Sequence, residues 1–268
     1  DYTPPFSILW DTKDYENNSY DIFIRSYDIH GNKFDSETIT ITISNFLVFS
    51  KAFGLNGKSE LGRSIIQTSD SGFVMLGEVD NDILLMKSNR YGDMEWQQSF
   101  GGSQMDIASH IEQASDGGFI ISATTGSYGQ GGKDIWLFKT SSSGLIEWNK
   151  YIGTPYDDYS GQVLETNDGG FILTGSRGSS DQNDNDIWLI KTNSQGDSSW
   201  TRSYGGNQFD RGNDILADDQ GGFILLGSTE SQGNGGKDIW LLKVDEDGND
   251  QWNNTYGTGS DDIGQSMV

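Results

Sequence analysis

Aspartates recur in this chain at a spacing that could build a ligand-binding face. Asp106, Asp158, Asp210 and Asp262 lie 52 residues apart, each five residues after a glycine. Asp157 and Asp261 double the charge in two copies, and a polar loop in the third adds Asp181, Asp184 and Asp186. Carboxylates gathered on loops are the hard oxygen ligands that calcium prefers. An Asp at a repeated turn position also caps neighbouring backbone amides, and capping is the leading structural reading of the same pattern. No Asp-x-Asp-x-Asp-Gly loop occurs; Asp245-Glu246-Asp247-Gly248 comes nearest, in an ordinary turn. Calcium is the one cofactor this pattern suggests. Tyr128 and Tyr156 are expected on the same loops, where a Tyr ring can touch a glycan.

Catalytic chemistry has little to work with. The chain has no Cys and two His, His30 in a turn and His110 in a strand, neither within a motif. There is no Gly-x-Ser-x-Gly elbow, phosphate loop or zinc spacing. Carboxylate pairs abound, so composition leaves room for the acid and base of a glycosidase. Uniformity weighs against it, because the copies differ mainly in loop length and loop charge. No catalytic residue is assigned, and an enzyme is the less favoured reading.

The elements that must hold these residues follow from the period. Asp82, Asp134, Asp186 and Asp238 are 52 residues apart, and so are Trp96, Trp148, Trp200 and Trp252. A strand-like repeat near 50 residues indicates a β-propeller, one four-stranded blade per repeat. In the third copy the strands, A to D from the axis outward, run to Glu165, from Phe171, from Asp186 to Lys191, and through Trp200 to Tyr204. Phe73, Phe119, Phe171 and Phe223 open strand B, and Lys87, Lys139, Lys191 and Lys243 end strand C. Gly92, Gly144, Gly196 and Gly248 make the C–D turn, a backbone expected in the left-handed region. The blades are placed at about 54–100, 101–152, 153–204 and 205–256, with a fifth beginning at 257–268. Leu47 to Phe53 is read as a leading strand D, with Phe49 in the Trp position. The tryptophans are expected to pack between blades.

Gly (36 of 268 residues), Asp, Asn, Ser and Thr are abundant and suit many short strands and tight turns. A net charge of −23 argues against nucleic acid, whose phosphates would be repelled. Apolar runs are too short to span a bilayer, so no membrane insertion is expected in this segment.

Residues 1–45 have a different pattern. Ile39, Ile41 and Ile43 alternate with threonines, and Tyr20 and Ile22 alternate with charged residues, which predicts a hairpin over 19–45 around Gly31-Asn32. A further strand is expected at Phe6 to Trp10. The approach Glu16 to Tyr20 resembles a tyrosine corner, and Tyr27-Asp28-x-x-Gly31-Asn32 resembles surface Ig-like domains of bacteria and archaea. The division is therefore 1–45, the end of an Ig-like sandwich, and 46–268, the propeller repeats.

The unit Asp-Ile-Trp-Leu-x-Lys-(x)4-Gly-(x)3-Trp resembles quinoprotein-type propellers. Asp116-Gly117-Gly118-Phe119-Ile120 is closer still to the repeats of large bacterial and archaeal surface proteins. Sialidase Asp-boxes place Gly and Trp one residue closer and are not carried over. The resemblance implies fold, and nothing here matches residues that hold a quinone. The expectation is an all-β chain: a partial β-propeller of about four four-stranded blades after the last strands of an Ig-like domain. Its expected role is a non-catalytic scaffold or interaction module, extracellular or in the cell envelope, meeting cations, glycans or a protein on its acidic loops. The alternative is part of a carbohydrate-active or quinoprotein-like enzyme.

Overall fold

The computed structural model describes residues 18–23, 25–27, 29–35, 38–43, 50–54, 57–181, 184–219 and 221–267. Residues 1–50 and 51–268 form two compact units. In the first, β1 (Asn18–Ile22) pairs antiparallel with β4 (Ile39–Ile43), and β2 (Arg25–Tyr27) pairs with β3 (Lys33–Asp35). Together they are one interrupted hairpin, whose turn carries Gly31 at a φ of 84°. Arg25 donates to both oxygens of Asp35 across β2–β3, at 2.7 and 3.0 Å. The strand expected at Phe6 to Trp10 and residues 47–49 of the expected leading strand D, Phe49 among them, lie outside the described residues. Residues 50–53 belong to no strand.

The second unit is four antiparallel sheets of four strands, each meandering in chain order. Blade one is β5 (Glu60–Gln67), β6 (Phe73–Val79), β7 (Asp82–Ser88) and β8 (Met94–Phe100). Blade two is β9 (Asp106–Gln113), β10 (Phe119–Thr125), β11 (Asp134–Thr140) and β12 (Ile146–Ile152). Blade three is β13 (Tyr159–Glu165), β14 (Phe171–Arg177), β15 (Asp186–Thr192) and β16 (Ser198–Tyr204). Blade four is β17 (Asp210–Ala217), β18 (Phe223–Thr229), β19 (Asp238–Val244) and β20 (Asp250–Tyr256). Successive blades meet through their first strands, and no described residue is helical. This is an all-β, four-bladed propeller arc.

The core lies between blades. Val74, Leu76, Ile83 and Leu85 of blade one pack on Ile111, Phe119, Ile121, Trp136 and Phe138 of blade two. Strands B and C are buried on both faces, whereas strand D alternates and faces water on one side.

Two repeated motifs lock this arrangement. In Asp116-Gly117-Gly118-Phe119 the Asp116 carboxylate accepts from the Gly118 amide at 2.9 Å and from the Lys139 ammonium at 2.5 Å. Gly117 has a φ of 84°, and a Cβ on Gly118 would sit 2.3 Å from the Thr140 carbonyl oxygen. Lys87, Lys191 and Lys243 are likewise buried at the end of strand C and paired with Asp70, Asp168 and Asp218. The second motif joins neighbours. The C–D turn glycines 144, 196 and 248, all with φ near 77°, sit against Trp96, Trp148 and Trp200 of the preceding blade. A Cβ on Gly196 would lie 2.5 Å from Trp148 Cζ3. Trp252 meets no following turn and is 42% exposed.

Residues 257–267, expected to begin a fifth strand A, are assigned to no strand. They still run beside β17: the Asn213 side-chain amide donates to the Gly264 carbonyl at 2.7 Å, and the Met267 amide donates to Asp214.

Candidate functional site

Each strand-opening aspartate is taken into its own loop. Asp106 is fully buried and opens β9, and its Oδ2 accepts from the Gly102 amide and the Ser127 hydroxyl, both at 2.9 Å. Asp210 repeats this with Gly206 at 3.0 Å and Ser231 at 2.7 Å. Asp158, also fully buried, accepts from the Thr154 amide and hydroxyl through Oδ2 and from the Gly178 amide through Oδ1. Asp262 accepts from the amide and hydroxyl of Thr258. In blades two, three and four these bonds close the D–A loop onto the B–C loop of the same blade. Asp181 is exposed in a turn with Ser179, and Asp184 is half-buried beside it. Among the described residues no three His, Asp or Glu side chains converge as metal ligands.

Tyr128 and Tyr156 are 40% and 43% exposed. Tyr128 stacks on Tyr151 with centroids 5.0 Å apart, meets the edge of Trp136, and donates to the Gly101 carbonyl at 2.8 Å. It offers one ring face while anchoring its loop.

The first strands of all four blades enclose a different site, a cavity of about 650 Å³ on the axis. Arg63, His110, Tyr159, Gln162, Arg211 and Asp214 line it, and the 265–267 segment closes one side. A repeated backbone irregularity places them. Each inner strand bulges against strand B, between Gly62 and Ser64, at Ser109, after Ser160, and between Gly212 and Asp214. A bulge leaves one residue without a cross-strand partner and turns its side chain out of the ladder. In blades one, two and four that residue is Arg63, Ser109 and Asn213.

The electrostatics of the cavity are uneven. Arg63 pairs with both oxygens of Glu78, at 2.9 and 3.3 Å. Asp214 spends one oxygen on the Ile215 amide and the other on the Met267 amide. It is the only carboxylate among the lining residues. The Arg211 guanidinium makes no hydrogen bond or ion pair with any described residue; surrounding protein lowers its pKa, partly opposed by Tyr159. An Arg stays charged even so. Burial also holds His110 below its ordinary value, against the pull of Asp214 and a backbone bond at Val163, so its imidazole is neutral at pH 7.

These six residues did not stand out in the sequence, although a signal was there. Aligned on the repeat, the second position of strand A is Leu61, Ile107, Tyr159 and Arg211, and the fifth is Ser64, His110, Gln162 and Asp214. Strand C keeps Asp-Ile-x-Leu-x-Lys in all four copies, whereas the second column runs from Leu and Ile to Tyr and Arg and the fifth holds Ser, His, Gln and Asp. Divergence inside a repeat marks the positions that packing does not dictate.

No protein-family model matches the sequence, and no curated protein is similar to it. Several solved structures overlay on part of it. A protein of unknown function from Bacteroides caccae is 10% identical over 78% of this chain and 86% of its own, with a TM-score of 0.44. The α-L-arabinanase of Penicillium chrysogenum, solved with arabinobiose, is 10% identical over 76% and 69%, with a TM-score of 0.49. The NanB sialidase of Streptococcus pneumoniae is 12% identical over 91% of this chain and 35% of its own, with a TM-score of 0.46. At these levels the overlays carry no inference about chemistry.

Proposed function

We propose that the chain is a non-catalytic binding module whose ligand enters the axial cavity and presents an anionic group, such as a carboxylate on a saccharide, to Arg211. One observation carries this reading: strand C keeps Asp-Ile-x-Leu-x-Lys in every copy, whereas the cavity-lining fifth position of strand A holds Ser64, His110, Gln162 and Asp214, and the second brings Ile107, Tyr159 and Arg211 to the same cavity. A free guanidinium in a polar cavity of an otherwise acidic molecule supports the anionic preference, because Arg forks onto carboxylates in bidentate fashion. Most glycosidases work with a pair of carboxylates; Asp214, the one carboxylate among the described lining residues, has both oxygens engaged by backbone amides. That favours binding over turnover.

The finer expectations belong to the same proposal. They are an extracellular or envelope location, an Ig-like origin for the 18–43 hairpin, and contact with a glycan or protein through the Tyr128 and Tyr156 loops. They rest on the resemblance of the repeats and on exposed rings.

Calorimetric titration with galacturonate and with galactose tests the reading. Galacturonate should bind and galactose should bind far more weakly. Arg211→Ala should weaken the acidic sugar roughly 10- to 100-fold, the worth of a charged hydrogen-bonded pair. Equal affinity of both sugars for the wild type and Arg211→Ala would refute the cavity assignment. Sugar release from a polysaccharide that depended on Asp214 and His110 would replace binding with catalysis.

A further inference from the structure

A second kind of site lies away from the axis, at the junctions between consecutive blades. Asp186 opens β15 of blade three, and Asp210 opens β17 of blade four. Their carboxylates meet over Gly205: a Cβ placed there would be 1.9 Å from Asp186 Oδ1 and 2.7 Å from Asp210 Oδ2. The two oxygens are therefore within about 5 Å of each other. Only glycine leaves room for this approach. The junction before it repeats the geometry over Gly101, with Asp82 Oδ1 at 2.1 Å and Asp106 Oδ2 at 2.9 Å from the same construction.

Hydrogen bonding leaves these carboxylates short of partners. Asp210 and Asp106 are fully buried, and Oδ1 of each has no hydrogen-bond partner among the described residues. Asp186 and Asp82 accept no hydrogen bond from any described residue. A buried carboxylate oxygen without a donor is costly, and a second carboxylate beside it adds like-charge repulsion. Such a pair calls for a positive charge at close range, and the nearby cations are held elsewhere: Arg177 attracts Asp186 but lies over the Trp188 ring, and Lys58 attracts Asp82 but forms its ion pair with Asp80. Asp184 brings a third negative charge close to Asp186.

The alternate junctions are built differently. Over Gly153 and Gly257 the loop continues with Thr154 and Thr258 where the others have Gly102 and Gly206. The threonine hydroxyl donates to Asp158 or Asp262, and the Gly178 amide completes Asp158. There only one buried oxygen, Oδ1 of Asp134 or Asp238, lacks a partner among the described residues.

We propose that the Asp186–Asp210 and Asp82–Asp106 junctions each bind one calcium ion, which bridges neighbouring blades. Calcium suits the position better than magnesium. It accepts irregular shells of six to eight oxygens and takes backbone carbonyls and water alongside carboxylates, whereas magnesium demands a regular octahedron. Two carboxylates from different blades then become a cross-link instead of a repulsion.

The test uses the whole chain, stripped with chelator and titrated with calcium chloride by calorimetry and thermal melting. Two ions should bind per chain, with a saturable rise in melting temperature that magnesium does not match. Asp186→Asn, at a half-buried carboxylate in no hydrogen bond, should fold and bind one ion; Asp82→Asn should do the same, and the double variant none. Terbium luminescence sensitised by Trp188 gives a readout on the wild type alone, quenched by added calcium. Absence of any calcium effect up to about 10 mM, or an unchanged stoichiometry in Asp186→Asn, overturns the proposal. So does stabilisation by acid in place of calcium, which would mean that the pair shares a proton.

Discussion

Replacing Gly196 by alanine isolates the contact that joins one blade to the next. Gly196 and Gly169 belong to the same blade and have the same backbone, with φ of 76° and 75°. An alanine at either position must adopt the left-handed region, which costs about 1–2 kcal/mol, partly offset by about 0.4–1 kcal/mol from a less flexible unfolded chain. The two sites then diverge. A Cβ on Gly169 meets nothing within 4 Å, whereas one on Gly196 lies 2.5 Å from Trp148 Cζ3 and 2.8 Å from Cη2. Carbon atoms prefer about 3.5–4.0 Å, so the indole must retreat by about 1 Å. Its other side is filled by Phe171, at a centroid distance of 5.7 Å, so the displacement propagates into the blade interface. Overpacking of this kind costs about 1–3 kcal/mol. Gly169→Ala should therefore lose about 1 kcal/mol and Gly196→Ala about 2–4 kcal/mol. Urea unfolding monitored by tryptophan fluorescence measures both, and only Gly196→Ala should change the native emission. Equal losses within about 0.5 kcal/mol would show that the turn backbone, not the Gly–Trp contact, dictates glycine here.

Acid should weaken the fold through the strand-C lysines. Lys191 and Lys87 hold Asp168 and Asp70 well below the ordinary carboxylate range, chiefly by hydrogen bonds. A depressed native pKa gives stability that is present above the unfolded value, near 3.8, and is lost as pH falls toward the native one. The unfolding midpoint should therefore drop as pH goes from about 5 to about 2, and Lys191→Met should flatten that slope; an unchanged slope would remove these pairs from the account. Acrylamide should quench Trp252 more than the other described tryptophans, so Trp252→Phe should reduce the quenchable fraction and Trp148→Phe should not. Gly170→Ala, whose Cβ would lie 2.1 Å from the Thr192 carbonyl oxygen, should destabilise more than Gly169→Ala next to it, measured by the same unfolding curves.

Periodic features were readable because packing repeats them. The strands of blade three fall within two residues of where spacing puts them, since Lys87, Lys139 and Lys191 pair with equivalent aspartates and Trp96, Trp148 and Trp200 each meet the turn glycine of the next blade. The four C–D glycines adopt the expected left-handed backbone for the same reason. The loops were less legible. Aspartates 106, 158 and 210 are equivalent in spacing, yet whether one faces a threonine hydroxyl or an unpartnered pocket depends on the residue after the loop glycine. The axial site was harder again. Arg63, His110, Tyr159 and Arg211 are separated by roughly one repeat each, and the meeting of successive first strands brings them to one cavity. The hairpin expected over 19–45 is present at 18–43 among the described residues, because strict alternation of Ile and Thr needs no long-range partner to be recognised.

The Gly–Trp contact has a consequence for how such a chain can be rearranged. It is always made from one copy to the next at the same separation, so excising residues 101–152 would bring Trp96 to the glycine now numbered 196 with the same chemistry. A whole copy can thus be lost, gained or exchanged without redesigning an interface. What changes is the set of side chains around the axis, because that deletion removes Ser109 and His110 and leaves Tyr159 and Arg211. Recombination between repeats can therefore vary the cavity while inheriting the walls intact.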